Sequence, residues 1–258
     1  MNKRPAKHAG TWYTNRDLGS IEKWMESGGQ CEERPKAILV PHAGYSYSGQ
    51  VAAQAYKLLR NQSWKQIILL GPTHHAYIEG ASFCGTFDAI GTPFGDLKIS
   101  PISGFPITPA VVDVNEHSLE MQYPMLKYVA PETPVIPFLV GSRTNQLNDL
   151  LDEDTLLVIS SDFCHYGKRF GYTPNLTHPI WQGIQQLDLE GFDAIRNGNF
   201  SEYLKRTKNT ICGRYPIEAA MKMLRGKSGQ WHLISYEQSE QLVSPDGSSV
   251  SYLAAAFY

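Results

Sequence analysis

Four short runs of apolar residues, at 37–40, 66–70, 135–140 and 156–160, punctuate the first two thirds of the chain. They are rich in Ile, Val and Leu and show no polar alternation, the pattern of strands buried on both faces. Between and after them apolar positions recur at helical spacing, which predicts helices over 49–60, 118–129, 145–151, 181–196 and 216–225. The tail reads as two more strands, 231–236 and 248–258, around the turn Pro245-Asp246-Gly247. Strand and helix alternate through most of the length, so the expected class is a three-layer α/β sandwich: a central mixed or parallel sheet with helices on both faces. No repeat, low-complexity tract or long Pro/Gly/Ser linker interrupts it, and residues 1–258 are expected to form one domain.

A chain of 258 residues can bury a sizeable core without disulfides. Its 23 basic and 25 acidic residues give a net charge of −2, no footprint for a polyanion, and nucleic acid is not an expected partner. No apolar stretch approaches the ~18 residues of a membrane span, and the basic N-terminus lacks an apolar run behind it, so the expected location is the cytoplasm. The four cysteines, Cys31, Cys84, Cys164 and Cys212, form no CxxC pair and predict neither a zinc knuckle nor a disulfide framework. Cys31 and Cys84 read as structural, and Cys164, beside a bulky aromatic, as a small buried residue.

Ligands of open α/β sheets bind at the carboxyl ends of the strands, where the loops diverge. After the first strand comes Pro41-His42-Ala43-Gly44-Tyr45; after the second, Gly71-Pro72-Thr73-His74-His75; after the fourth, Ser161-Asp162-Phe163-Cys164-His165. One strand-end histidine is commonly just a hydrogen-bonded loop residue, but four of the chain's eight histidines fall at such ends, which a scatter of solvated side chains would not produce. Glu116 and His117 precede another helical pattern with Ser118 as a candidate cap, and suit a solvated helix start as well as a pocket. Cys212 lies just before the helix led by Pro216, where a helix N-terminus favours thiolate. Imidazoles and a thiolate on separate loops are the donors of a mononuclear transition-metal site, with Asp162 and His165 as a carboxylate and the imidazole it orients for proton transfer. Cys212 as a nucleophile with a histidine base is a rival use of the same residues, and a zinc hydrolase is another. Of Tyr45 and Tyr47, one is expected in the core and one at the pocket mouth, with Tyr45 assigned to the pocket.

The segments PHAGYSYSG, GPTHH, EHSLEMQYP, SSDFCHYG and NTICGR, with HAGTWY near the start and DGSSVSYLAAAF at the end, resemble the Memo family, also called the AmmeMemoRadiSam system protein B family, in its eukaryotic form. The family is similar in fold to the class III extradiol dioxygenases, non-haem iron enzymes. The resemblance implies an iron or copper ion, with zinc also compatible, held by His42, His74 and Cys212. Cysteine stands where the dioxygenases have a carboxylate, so ring cleavage does not follow from the fold. His165 would take the place of the dioxygenase's catalytic histidine, with Asp162 beside it and His75, Tyr45, Glu116, His117 and Arg214 around the pocket. Gln122 and Tyr215 stand where some relatives carry histidine. The family further implies copper-linked or vestigial dioxygenase-like redox chemistry and a role in receptor tyrosine kinase signalling, cell motility and the cytoskeleton; the expected location is the cytoplasm, with the nucleus as a second compartment. The alternative it offers is a non-catalytic adaptor taking a phosphotyrosine-containing peptide in the same pocket.

Overall fold

In a computed structural model of the chain, residues 2–26 and 33–258 are described, and Cys31 lies outside them. In chain order they form β1 (Lys3–Arg4), α1 (Asn15–Glu26), β2 (Ala37–Val40), α2 (Tyr45–Tyr56), β3 (Gln66–Gly71), β4 (Ala81–Phe83), β5 (Ala89–Thr92), β6 (Gly95–Lys98), α3 (Ala110–Asn115), α4 (His117–Glu120), α5 (Tyr123–Val129), β7 (Val135–Val140), β8 (Thr155–Ser160), β9 (His165–Tyr166), α6 (Ile180–Arg196), α7 (Phe200–Thr207), α8 (Arg214–Met223), β10 (Trp231–Gln238) and β11 (Ser249–Phe257). The main sheet runs β10-β11-β2-β8-β3-β7-β4. Its middle strands β2, β8, β3 and β7 are parallel, and β11, β10 and β4 close the two sides in antiparallel fashion.

Because successive strand side chains point to opposite faces, each apolar run feeds two layers. Ile38, Val40, Ile67, Leu69, Leu156 and Val158 pack on one side with Ile21 of α1, Val51 and Ala55 of α2 and Met125 of α5. Their neighbours Ala37, Leu39, Ile68, Leu70, Leu157 and Ile159 pack on the other with Phe192 of α6, Phe200 of α7 and Ile217 of α8. The three-layer α/β sandwich is therefore the observed architecture. No helix among the described residues is long and apolar enough to cross a membrane.

A second, three-stranded sheet of β1, β5 and β6 ties the N-terminus to the body. Its anchor is Arg4, fully buried, whose guanidinium donates to Asp113 Oδ1 (2.7 Å), Glu120 Oε2 (2.7 Å) and the carbonyl of Asp113 (2.7 Å). A buried charge is tolerated only when paired in this way, and the pairing fixes where the following residues, His8 and Trp12, must go.

Three expectations need correction. Residues 145–151 form turns, Asn148 N–H to Asn145 and Leu150 N–H to Leu147, rather than a helix; Leu147 and Leu151 are buried at helical spacing, but seven residues are too few to nucleate one when Thr144 Oγ1 takes the N–H of Gln146. The 118–129 helix is two, α4 and α5, because Pro124 in the first turn of α5 has no N–H to continue a helix. Helix α2 begins at Tyr45, four residues before the expected 49, directly after Gly44.

Candidate metal centre

Strands β2, β8 and β3 are neighbours in the sheet and parallel, so their carboxyl ends deliver His42, Asp162 with His165, and His74 to one edge. Helix α4 lies across the end of β3, bringing Glu116 and His117. That approach requires Gly71, where an added Cβ would stand 2.7 Å from Leu119 Cδ2. Cys212 arrives on the turn before α8, where Gly213 N–H donates to Ser161 Oγ (3.0 Å) and leaves no room for a side chain of its own.

The hydrogen bonds fix which nitrogen of each ring is free. Ser160 Oγ donates its one hydrogen to the carbonyl of Ser118 (2.7 Å) and accepts from Gln122 Nε2 (3.0 Å). At 2.8 Å from His42 Nδ1 it can therefore only accept, so His42 carries its proton on Nδ1 and leaves the Nε2 lone pair open. Glu116 does the same for His74: its carboxylate accepts from His74 Nδ1–H (2.8 Å), from His74 N–H (2.6 Å) and from Ser118 N–H (3.0 Å). Burial opposes the charge on Glu116, but these bonds outweigh it and hold its carboxyl down to about 2. A carboxylate behind a histidine ring is the arrangement that orients and strengthens metal-binding imidazoles.

His117 completes the group. One ligand atom from each of His42, His74 and His117 lies within 4.8 Å of the others. His117 stacks on His74 with ring centres 4.4 Å apart at 26°, and its other face meets Trp12 at 4.2 Å. Burial, then the neighbouring His42 and His74, push its pKa down to about 3, and burial pushes His42 down as well, so both rings are neutral, the form that ligates metal. The buried Nδ1 of His117 has no hydrogen-bond partner among the described residues; Glu116 Oε1 is 3.5 Å away. An orphaned ring nitrogen costs about 1–3 kcal/mol, which makes the donor set a good fit to a cation and a poor one to a merely structural cluster.

Cys212 Sγ stands 3.2 Å from His42 Nε2 and accepts from Asp162 N–H at 3.3 Å. The expectation of a helix-stabilised thiolate fails in the metal-free protein, because burial and the nearby Asp162 carboxylate push the thiol pKa up. Asp162 was expected to orient His165, and instead its Oδ1 accepts from the backbone N–H groups of His42 (2.8 Å) and Ala43 (3.3 Å), pinning the His42 turn. Its own pKa is raised by burial. His165 is oriented by backbone: Nδ1–H donates to the carbonyls of Phe163 (2.9 Å) and Thr210 (3.2 Å).

The whole chain has relatives. The family described as "Memo-like protein" matches residues 4–256. A Caenorhabditis elegans protein named "Protein memo-1 homolog" is 34% identical over 99% of this chain and 82% of its own length. A MEMO1 family protein of Schizosaccharomyces pombe is 35% identical over 98% of each chain. Human "Protein MEMO1" is 34% identical over 98% of this chain and 96% of its own. The chain belongs to the Memo family. A solved structure, that of an uncharacterised Escherichia coli K12 protein, matches with a TM-score of 0.45 at 12% identity, over 84% of this chain and 99% of that one.

Within this Memo protein the structure gathers His42, His74, Cys212, Asp162, Glu116 and His117, with His75 6.5 Å from His74 ring to ring and exposed to solvent. It does not bring in two of the residues expected there. Tyr45 is core, 3% exposed, packed on Tyr13 and donating to the carbonyl of Met121, whereas Tyr47, 64% exposed, lines a cavity of about 400 Å³ together with Trp12, Ala43 and Arg169. Arg214 stacks over Tyr215 and lines a separate groove that contains none of the histidines. Sequence reasoning missed Ser160 and Gln122, which set the His42 tautomer, and Trp12, the lid of His117. It also missed His8, held 6.2 Å from His117 ring to ring by Glu120. Only HAGTWY, quoted for the resemblance alone, marked the last two.

Proposed function

We propose that this Memo protein is a metal-binding redox protein that holds an iron or copper ion through His42 and His74, with Cys212 as the third ligand and His117 as a further imidazole in the same cluster. The observation that carries the reading is the tautomer pair: Ser160 and Glu116 each take an Nδ1–H, leaving two Nε2 lone pairs for one cation. Donors at about 2.0 and 2.3 Å from one tetrahedral ion would sit about 3.5 Å apart, so Cys212 Sγ at 3.2 Å from His42 Nε2 is compatible with sharing it. Imidazole suits iron, copper and zinc alike, and thiolate biases toward copper(I) or zinc.

When bound, such an ion would supply one-electron or oxygen-dependent chemistry, which neutral imidazoles and a thiol cannot. The chain's own groups do the rest. Asp162 pins the His42 turn, Trp12 covers His117, and His165, its Nδ1 held by backbone carbonyls, turns its Nε2 to proton transfer. The proposal includes the cytoplasmic location and the part in signalling, cell motility and the cytoskeleton that the family resemblance implies. Elemental analysis of protein purified without chelator, then loaded with Fe(II), Cu(I) or Zn(II), tests it. Stoichiometric iron or copper lost in both His42→Ala and Cys212→Ser supports the reading, and a wild type that takes up none of the three ions refutes it.

A further inference from the structure

The groove that takes Arg214 away from the histidines has a chemistry of its own. Ser201, Leu204, Lys205 and Lys208 follow one another at i, i+3, i+4 and i+7 along α7 and its end, and face Arg214, Tyr215 and Glu218 on the first turns of α8 across a cavity of about 480 Å³. Arg143 closes one side. Its fork is already used, with Nε donating to Glu218 Oε2 (2.8 Å) and Nη2 to Oε1 (3.1 Å), while Ser201 Oγ donates to the same Oε1 (2.7 Å). This clip ties a loop, α7 and α8 together and leaves the walls preorganised.

With Glu218 neutralised by Arg143, the groove keeps three cations, Lys205, Lys208 and Arg214, none of which has an ion-pair partner among the described residues. In a chain of net charge −2 this concentration is local rather than a reflection of composition. Like charges crowded round one concavity repel, and a bound dianion removes that cost. Leu204 and Tyr215 supply an apolar wall, and the volume suits a small organic molecule rather than a polymer.

We propose that the groove between α7 and α8 binds a small-molecule phosphate monoester, its phosphate on Lys205, Lys208 and Arg214 and its organic part on Leu204 and Tyr215. The site is independent of the metal centre and does not rest on the function proposed above. Calorimetric titration of the full chain with phenyl phosphate, inorganic phosphate and benzoate tests it. Phenyl phosphate is expected to saturate one site and to bind more tightly than either of the others. Because each charge-assisted contact is worth about tenfold in affinity, Lys205→Gln combined with Lys208→Gln should weaken it by about a hundredfold. The corresponding Lys→Arg pair should retain binding, and His42→Ala should leave it unchanged. All are read beside thermal melts, which exposed lysines should not move. Absence of saturation overturns the proposal, as does binding that survives the double Gln variant or disappears in His42→Ala. Equal affinity for inorganic phosphate overturns the monoester assignment.

Discussion

Replacing Glu116 by glutamine removes one charge without changing shape, and the structure gives the consequence a size and a pH dependence. Glu116 is buried and accepts three hydrogen bonds, two of them from His74. The gap between its ordinary value of 4.5 and about 2 in the folded chain corresponds to roughly 3 kcal/mol favouring the ionised form, at about 1.4 kcal/mol per pH unit. Since the folded value is the depressed one, that stabilisation is fully present above 4.5 and is lost as pH falls through 2. Urea unfolding of metal-free Glu116→Gln should therefore show a loss of about 3 kcal/mol near pH 7, narrowing to roughly half that at about pH 3. In the same variant His74 loses the carboxylate that fixes its tautomer, so metal affinity should fall by about 10- to 100-fold. A deficit that is small at neutral pH, or that does not shrink with acid, refutes the claim that a buried carboxylate holds His74.

Two further outcomes follow from the same network. Ser160→Ala strips the acceptor from His42 Nδ1–H and one from Gln122, so stability should fall by about 1–3 kcal/mol and the His42 ring, observed by ¹⁵N NMR, should populate the other tautomer. Asp188, buried beneath both the His165 and the Cys212 loops through Cys164 N–H and Asn209 Nδ2, has its pKa raised to about 6 from 3.8 by burial. The folded chain thus loses stability as pH rises from 3.8 to about 6, and Asp188→Asn should gain up to about 3 kcal/mol over wild type near pH 8 but little near pH 4, as denaturant titrations at the two pH values would show.

What could be read from the chain was whatever depends on local period. The apolar runs became the central strands because burial on both faces removes alternation, and His42 and His74 were visible because strand ends are where such sheets hold ligands. The small sheet of β1, β5 and β6 left no trace, since residues such as Gly91, Thr92 and Asp96 make no apolar run. The exchange of roles between Tyr45 and Tyr47 has a geometric cause. Two positions apart on a helix lie about 200° round its axis, so once α2 starts at Tyr45 the two rings must face opposite ways. The same early helix start at Arg214 carries its side chain off toward α7. His8 and Trp12 reach the centre through contacts more than a hundred residues apart in sequence, His8 to Glu120 among them, and no local pattern encodes those.

Cys212 as third ligand differs from His117 in the proton it must give up, and that proton separates the two without mutation. His42 and His117, with pKa values pushed down, stay neutral well below pH 7. A cation that takes His117 as its third ligand therefore displaces no proton from that ligand, so the third position adds no rise of affinity with pH. Cys212 is different, because burial and Asp162 keep it a thiol, its Sγ 3.2 Å from His42 Nε2 and 3.5 Å from the carbonyl of Asp162. An ion bound by its thiolate must release that proton, so affinity should rise by about tenfold per pH unit until the thiol's own pKa is reached. Competition titrations of Zn(II) across that range, with proton release measured by calorimetry in buffers of different ionisation enthalpy, read the number directly. One proton per ion assigns Cys212 to the cation and makes the His117 stack a wall against Trp12; zero protons leaves the three histidines as the whole donor set and reduces Cys212 to a hydrogen-bond donor for His42.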